Sequence, residues 1–349
     1  MLFIFLKKIY VSTAAMAVVM SLGITTQGVL LNFFGFRFFY SIPGRLLSIV
    51  DLALWSSFIF SFLLACLNKK FKELHYSNPI NRFGIGTWVA GTSICGILLD
   101  KQFSEWALFV KFLLCLNIGL WAFYIWISLR ALAVVFKKCL THRVHGVLLL
   151  TTVSTQSIVL LASTAYKSLP VSIALFFTMF GVSFYIISAL LIIKRYSKLG
   201  TWSIRIDWNN TNCILHGALS ITGLASLVSH LLTKQSVVML WICVAIVFLI
   251  IEMVELCRLF ARIKYDGWKQ AIFVYDVSQW SRVFTFAMFY TFTYLSKSFY
   301  VQNLIIISGI WVILALVLFE IGLIVKSIVE NYPRKWRKRS TPGEIHTSF

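Results

Sequence analysis

Long apolar runs along the chain alternate with short stretches that hold nearly all of its charge. Runs of about 20 residues, enough to cross a bilayer as a helix, fall near 11–31, 46–66, 83–99, 106–128, 146–166, 170–193, 211–231, 237–257, 277–296 and 304–325. The pattern predicts ten helices, the third short and the ninth weakly apolar. Basic residues test the count, because cytoplasmic loops carry an excess of Lys and Arg. Of 32 basic residues, 24 lie in alternate segments beginning with Lys7 and Lys8. Six lie in the intervening segments (Arg37, Arg45, Lys101, Lys167, Lys234 and Lys297), and two, Lys111 and Arg282, lie inside spans. One span too many or too few would destroy this alternation, so both termini are expected on the cytoplasmic side.

Most outer connections are short and the inner ones long, so the spans pair as five hairpins, each starting about 65–70 residues after the last. The two spans of a hairpin differ in kind. Gly, Ala, Ser and Thr make up 44 of 100 residues in the odd spans but 22 of 111 in the even ones. Small and hydroxylated residues permit close approach or line a wet path, whereas bulky aliphatics face lipid. The expected arrangement is an inner ring of odd helices inside an outer ring of even ones. Small residues also mark dry packing, and hydroxyls such as those of Thr151, Thr152, Ser154 and Thr155 could bond carbonyls of their own helix.

Composition agrees with a polytopic membrane protein: 59% of the 349 residues are hydrophobic and the mean hydropathy is +0.86, against roughly 45–50% apolar content in soluble domains. Residues 1–8 read as a short cytoplasmic N-terminus, 9–327 as the membrane domain and 328–349 as a basic cytoplasmic tail, with no cleavage pattern before the first span. The net charge of +20 does not imply nucleic acid, because it is spread over loops rather than gathered on one solvated face. Seven isolated cysteines lie in or beside apolar runs and read as packed or lipid-facing thiols. The chain carries no GxxxxGK[ST], HExxH or GxSxG string. No catalytic residue, metal or cofactor is therefore expected. A ligand-sensing membrane receptor and an intramembrane enzyme are the readings from other classes.

The stretch Val274 to Tyr294 is apolar enough to enter a bilayer yet carries Arg282, and an ionisable residue in a span usually faces a bundle interior or a wet cavity. Two residues on is Phe284. His216 in the seventh span reads equally as a pore group and as a histidine bonded within the bundle. Glu252, Glu255 and Arg258 share a face of the eighth span and read as a structural ion pair.

Several strings coincide in order and spacing with one family: Tyr10 to Ile24 in the first span, Phe83-Gly84-Ile85-Gly86-Thr87-Trp88-Val89-Ala90-Gly91-Thr92-Ser93 in the third, Leu150 to Gln156 in the fifth and Gln279-Trp280-Ser281-Arg282-Val283-Phe284 in the ninth. Over about residues 9–327 the chain resembles the tellurite-resistance/dicarboxylate transporter family, which includes TehA, the fungal malate transporter and the plant slow anion channels. The resemblance implies an all-α homotrimer in the plasma membrane. Each subunit would hold ten transmembrane helices as five hairpins around a pseudo-fivefold pore, the odd helices lining it. The implied cargo is a small anion: an inorganic ion, a mono- or dicarboxylate, or a tellurite-type oxyanion. Family members plug the pore with a phenylalanine four residues after a tryptophan, a spacing kept by Trp280 and Phe284. Phe284 is thus the expected gate, and Gly23, Thr87, Gly91, Thr152, Thr155, His216, Ser220, Trp280, Ser281 and Arg282 are the pore-lining candidates. The chain departs from the family in lacking mid-span prolines, for which Gly23, Gly91 and Gly223 could substitute as bends, and in the charge of Arg282.

Overall fold

The computed structural model describes residues 10–167, 169–198 and 203–337. The N-terminal segment 1–8 and the last part of the basic tail, 338–349, lie outside the described residues. Among those described there is no strand, and nine helices are long and apolar enough to cross a membrane, the mark of an all-α membrane protein. The long helices are α1 (Met16–Phe39), α2 (Ile42–Leu67), α3 (Gly86–Gln102), α4 (Ala107–Lys137), α5 (Leu150–Tyr166), α6 (Val171–Lys198), α7 (Ile214–Val228), α8 (Lys234–Asp266), α9 (Trp280–Leu295) and α10 (Tyr300–Arg337). The one that falls short of the nine is α9, with only 16 residues, the guanidinium of Arg282 and four hydroxyl-bearing threonines and serines.

Burial divides the helices into two sets. Between 78% and 94% of the most apolar stretch of α1, α3, α5 and α7 is buried, against 22–33% for α2, α4, α6, α8 and α10. Twelve of the sixteen residues of α9 are buried as well. The five buried helices touch in the order α1, α3, α5, α7, α9 and back to α1, so they close a ring.

Two devices hold the ring tight. Glycines let backbones meet: a Cβ on Gly217 of α7 would stand 2.2 Å from the Thr285 methyl of α9, and one on Gly23 of α1 would stand 2.4 Å from Ile94 and 2.6 Å from the Asp51 carboxylate. These contacts set helix separation rather than bend, and Gly91 and Gly223 likewise sit inside regular helix against Met16 and Phe292. The irregularity in α1 comes from elsewhere, a π-helical segment Thr25–Leu30 followed by Gly35 at φ 79°. The second device repeats. An even-helix tryptophan donates its indole N–H to a threonine of the next odd helix: Trp55 to Thr92 (3.0 Å), Trp121 to Thr155 (3.0 Å) and Trp241 to Thr293 (2.9 Å). Each bond satisfies a polar group that lipid could not.

The helices outrun the apolar runs that mark them. Predicted to end near 128, 257 and 325, α4, α8 and α10 continue to Lys137, Asp266 and Arg337. Hydropathy reports the part in hydrocarbon, whereas the extensions are rich in Arg and Lys, good helix formers that stay helical in water.

Two histidines outside the spans are held in the neutral form, His75 buried and His145 half-buried. His75 packs edge-on against Phe62 and Trp88 with its Nδ1 3.0 Å from the Thr13 hydroxyl, and burial lowers its pKa to about 4. At His145, 2.8 Å from the Thr211 hydroxyl, burial and then the charge of Arg195 lower it to about 4. An unfolded chain protonates these rings below about 6.5 and the folded chain only below about 4, so stability is whole above pH 6.5 and is lost as the pH falls toward 4. The expected loss is on the order of 2–3 kcal/mol apiece. Melting in detergent across that window checks it, with a shallower slope in His75→Gln; a midpoint that stays level from pH 6.5 to 4 would contradict it.

Candidate functional site

The ring holds a partly open cavity of about 150 Å³ to which all five odd helices contribute and no even helix does. Its walls come from the middle of α1 and from the centre and C-terminal half of each of the other four: Ile24, Gln27 and Asn32 of α1, Ile94 and Lys101 of α3, Ser157 and Thr164 of α5, Ile221 and Val228 of α7, and Met288, Thr291 and Leu295 of α9. Because α3, α5, α7 and α9 all line the cavity toward their C-terminal ends, these four run parallel, as alternating spans must. Among the described residues, Lys101 is the only charged one in the lining.

The start of α9 sets which way its side chains point. Asp276 and Gln279 form a capping box around the turn Val277–Gln279, fixing the first turn of the helix. From there Met288, Thr291 and Leu295 share one stripe, and Phe284, four residues before Met288, continues it about one turn, roughly 6 Å, deeper. Phe284 is 2% exposed and belongs to the main apolar core with Met20, Ile24 and Met288. Phe286, roughly 200° round the helix, turns outward instead, with ring centroids 6.2 Å from His216 and 5.0 Å from Phe248.

A second polar site lies at the opposite end of α9. The Arg282 guanidinium reaches away from the ring to α8, 2.7 Å from Glu255 and 3.7 Å from Glu252. Glu255 also accepts from Trp208 at 2.8 Å and stands 3.5 Å from Arg258, which hydrogen-bonds Asn210. Glu252 stands 3.6 Å from Nε2 of the fully buried His216. The geometry is that of a charge network knitting α7, α8 and α9 together.

Most of the candidate lining residues face neighbouring helices. Thr152 donates to the Gly181 carbonyl of α6 at 3.0 Å, and Thr155 accepts from Trp121 of α4. Thr87 bonds the Gly84 carbonyl at 2.8 Å, Ser220 bonds that of His216 at 2.9 Å, and Gly91 packs against Met16. Trp280 is fully buried with Ala17, Val283 and Val317, its carbonyl accepting from Ser21, and Ser281 is buried beside it. Gly23 lies against Ile94 and Asp51, while His216 and Arg282 belong to the charge network. The cavity draws instead on Gln27, Asn32, Ser157, Thr164 and Thr291, polar residues in the second halves of the odd spans. Four of these five lie in the final third of the predicted runs or beyond, a signal that parallel inner helices make readable.

The chain matches no protein-family model and no curated protein.

Proposed function

We propose that the chain is a plasma-membrane channel or carrier for small anions, of the kind that the tellurite-resistance/dicarboxylate transporters represent. In this reading α9 crosses the membrane as the ninth of ten spans, five hairpins surround a pseudo-fivefold pore, both termini are cytoplasmic, and three copies assemble as a homotrimer. The observation that carries it is the central cavity walled by all five odd helices, with Lys101 as its one charged group and Phe284 one turn beneath it. A single cation at the mouth of a low-dielectric passage concentrates anions, and an apolar constriction closes a passage by excluding water. In this reading Phe284, with Met20 and Met288 of the same apolar core, supplies such a constriction.

Reversal potentials of the purified protein in planar bilayers test the reading, with anion and proton gradients imposed separately. The expected potential follows the anion gradient, and a response to the proton gradient would mark a coupled carrier. A potential that tracks only the cation gradient would reject anion passage. Lys101→Gln should lower anion conductance several-fold at low salt and less at high salt, where screening shortens the reach of the charge.

A further inference from the structure

The charge network opens onto a cavity of about 220 Å³ between α8, α9, α10 and the short helix Trp268–Ile272, separate from the central one. Six ionisable side chains line it: Glu252, Glu255, Glu320, Arg258, Arg262 and Arg282. The signs are equal in number, but the pairing is incomplete. Glu255 holds Arg282 and Arg258, and Glu252 stands by Arg282. Glu320 of α10 is 5% exposed, and its Oε2 is buried without a hydrogen-bond partner; among the described residues it has no ion-pair partner. Arg262 of α8 donates only to the Gln270 carbonyl, at 3.2 Å, and among the described residues has no carboxylate partner. One carboxylate and one guanidinium are therefore left over around a single cavity.

We propose that this cavity binds a compact zwitterion, with a primary ammonium seated on Glu320 and an oxyacid anion on Arg262. Burying a charge without a counter-charge is unfavourable, and the charge count selects the ligand. A bare cation would add positive charge beside three guanidiniums, and a bare anion would add negative charge beside three carboxylates. A ligand carrying one of each leaves the balance unchanged and satisfies both leftover groups. An ammonium suits Glu320 because its N–H groups donate to the unpartnered oxygen. Two sources supply this chemistry, the head group of an aminophospholipid and a free zwitterion from the cytoplasm. The rim favours the lipid, since Leu256 and Phe319 line the cavity and are 49% and 38% exposed on the outward faces of α8 and α10, where acyl chains would run.

Binding to the delipidated full-length protein tests this, measured by native mass spectrometry after adding phosphatidylethanolamine, phosphatidylcholine or phosphatidylglycerol with matched chains, and with soluble phosphoethanolamine in parallel. Phosphatidylethanolamine should be retained about tenfold better than phosphatidylcholine, whose nitrogen has no N–H, and than phosphatidylglycerol, which has no ammonium. Glu320→Gln should abolish the preference, while Glu330→Gln, exposed and outside the cavity, should not. Binding of phosphoethanolamine that is lost in Glu320→Gln, without a lipid preference, would uphold the site and assign it to the soluble source. Equal retention of the three lipids with no phosphoethanolamine binding would overturn the proposal, as would a preference that survives Glu320→Gln. Should that variant not fold, the wild type answers with ethanolamine head groups bearing one, two and three N-methyls: affinity should fall stepwise, and a level series would overturn the proposal.

Discussion

Phe284→Ala should raise anion flux into proteoliposomes about tenfold or more, the equivalent of roughly 1.4 kcal/mol off the barrier. The ring occupies the stripe of α9 that continues the cavity wall downward, so its removal extends the cavity toward the opposite end of the ring. A plug standing in a wet bore would leave folding nearly unchanged. Phe284 is instead 2% exposed within the main core, so the opened variant should also lose about 3 kcal/mol of stability, as buried Phe→Ala replacements do. Phe286→Ala separates the two effects. It strips contacts with Phe248 and His216 on the outward face, and should cost stability without opening the pore. Wild-type flux in Phe284→Ala with raised flux in Phe286→Ala would place the constriction on the other face of α9. Wild-type flux in both would remove the pore.

Arg282→Met should cost about 3 kcal/mol of stability, near the lower end for breaking a buried ion pair, because the guanidinium is still 31% exposed. The loss comes less from the missing attraction than from the carboxylates left behind. Glu255 is 6% exposed and Glu252 18%, and each would be left without the cation that Arg282 supplies. Adding Glu255→Gln to Arg282→Met should therefore restore much of the stability, a sign that two independent losses could not give. Thermal midpoints of the purified single and double variants decide the matter. An Arg282→Met protein as stable as wild type would show that the network carries no net stabilisation.

The ring of odd helices was legible because one physical preference, small residues where helices crowd, is written along every inner span. The positions of side chains around that ring were not. Thr152 and Thr155 look like lining residues, yet each is turned outward by a partner that lies far away in the chain, the Gly181 carbonyl and the Trp121 indole. Hydroxyls are a weak guide in any case: Thr25, Ser157, Thr222 and Thr291 all donate to carbonyls three or four residues back, which leaves little of their polarity for a bore. Arg282 implies a polar neighbour but not its direction, because Glu255 already has a local i, i+3 partner in Arg258. The cavity wall depends on the parallel alignment of five helices, which only their ends, taken together, disclose.

The indole-to-threonine bonds bear on how the protein is made. Each runs from the second helix of one hairpin to the first helix of the next, from Trp55 to Thr92, from Trp121 to Thr155 and from Trp241 to Thr293. During synthesis the tryptophan leaves the ribosome 37, 34 or 52 residues before its acceptor, so every such hairpin enters the bilayer with an unsatisfied donor on its trailing edge. That donor is answered only when the following hairpin arrives. Assembly is thereby given a direction at three of the four junctions between hairpins, the incoming pair of helices being captured there by the one before it.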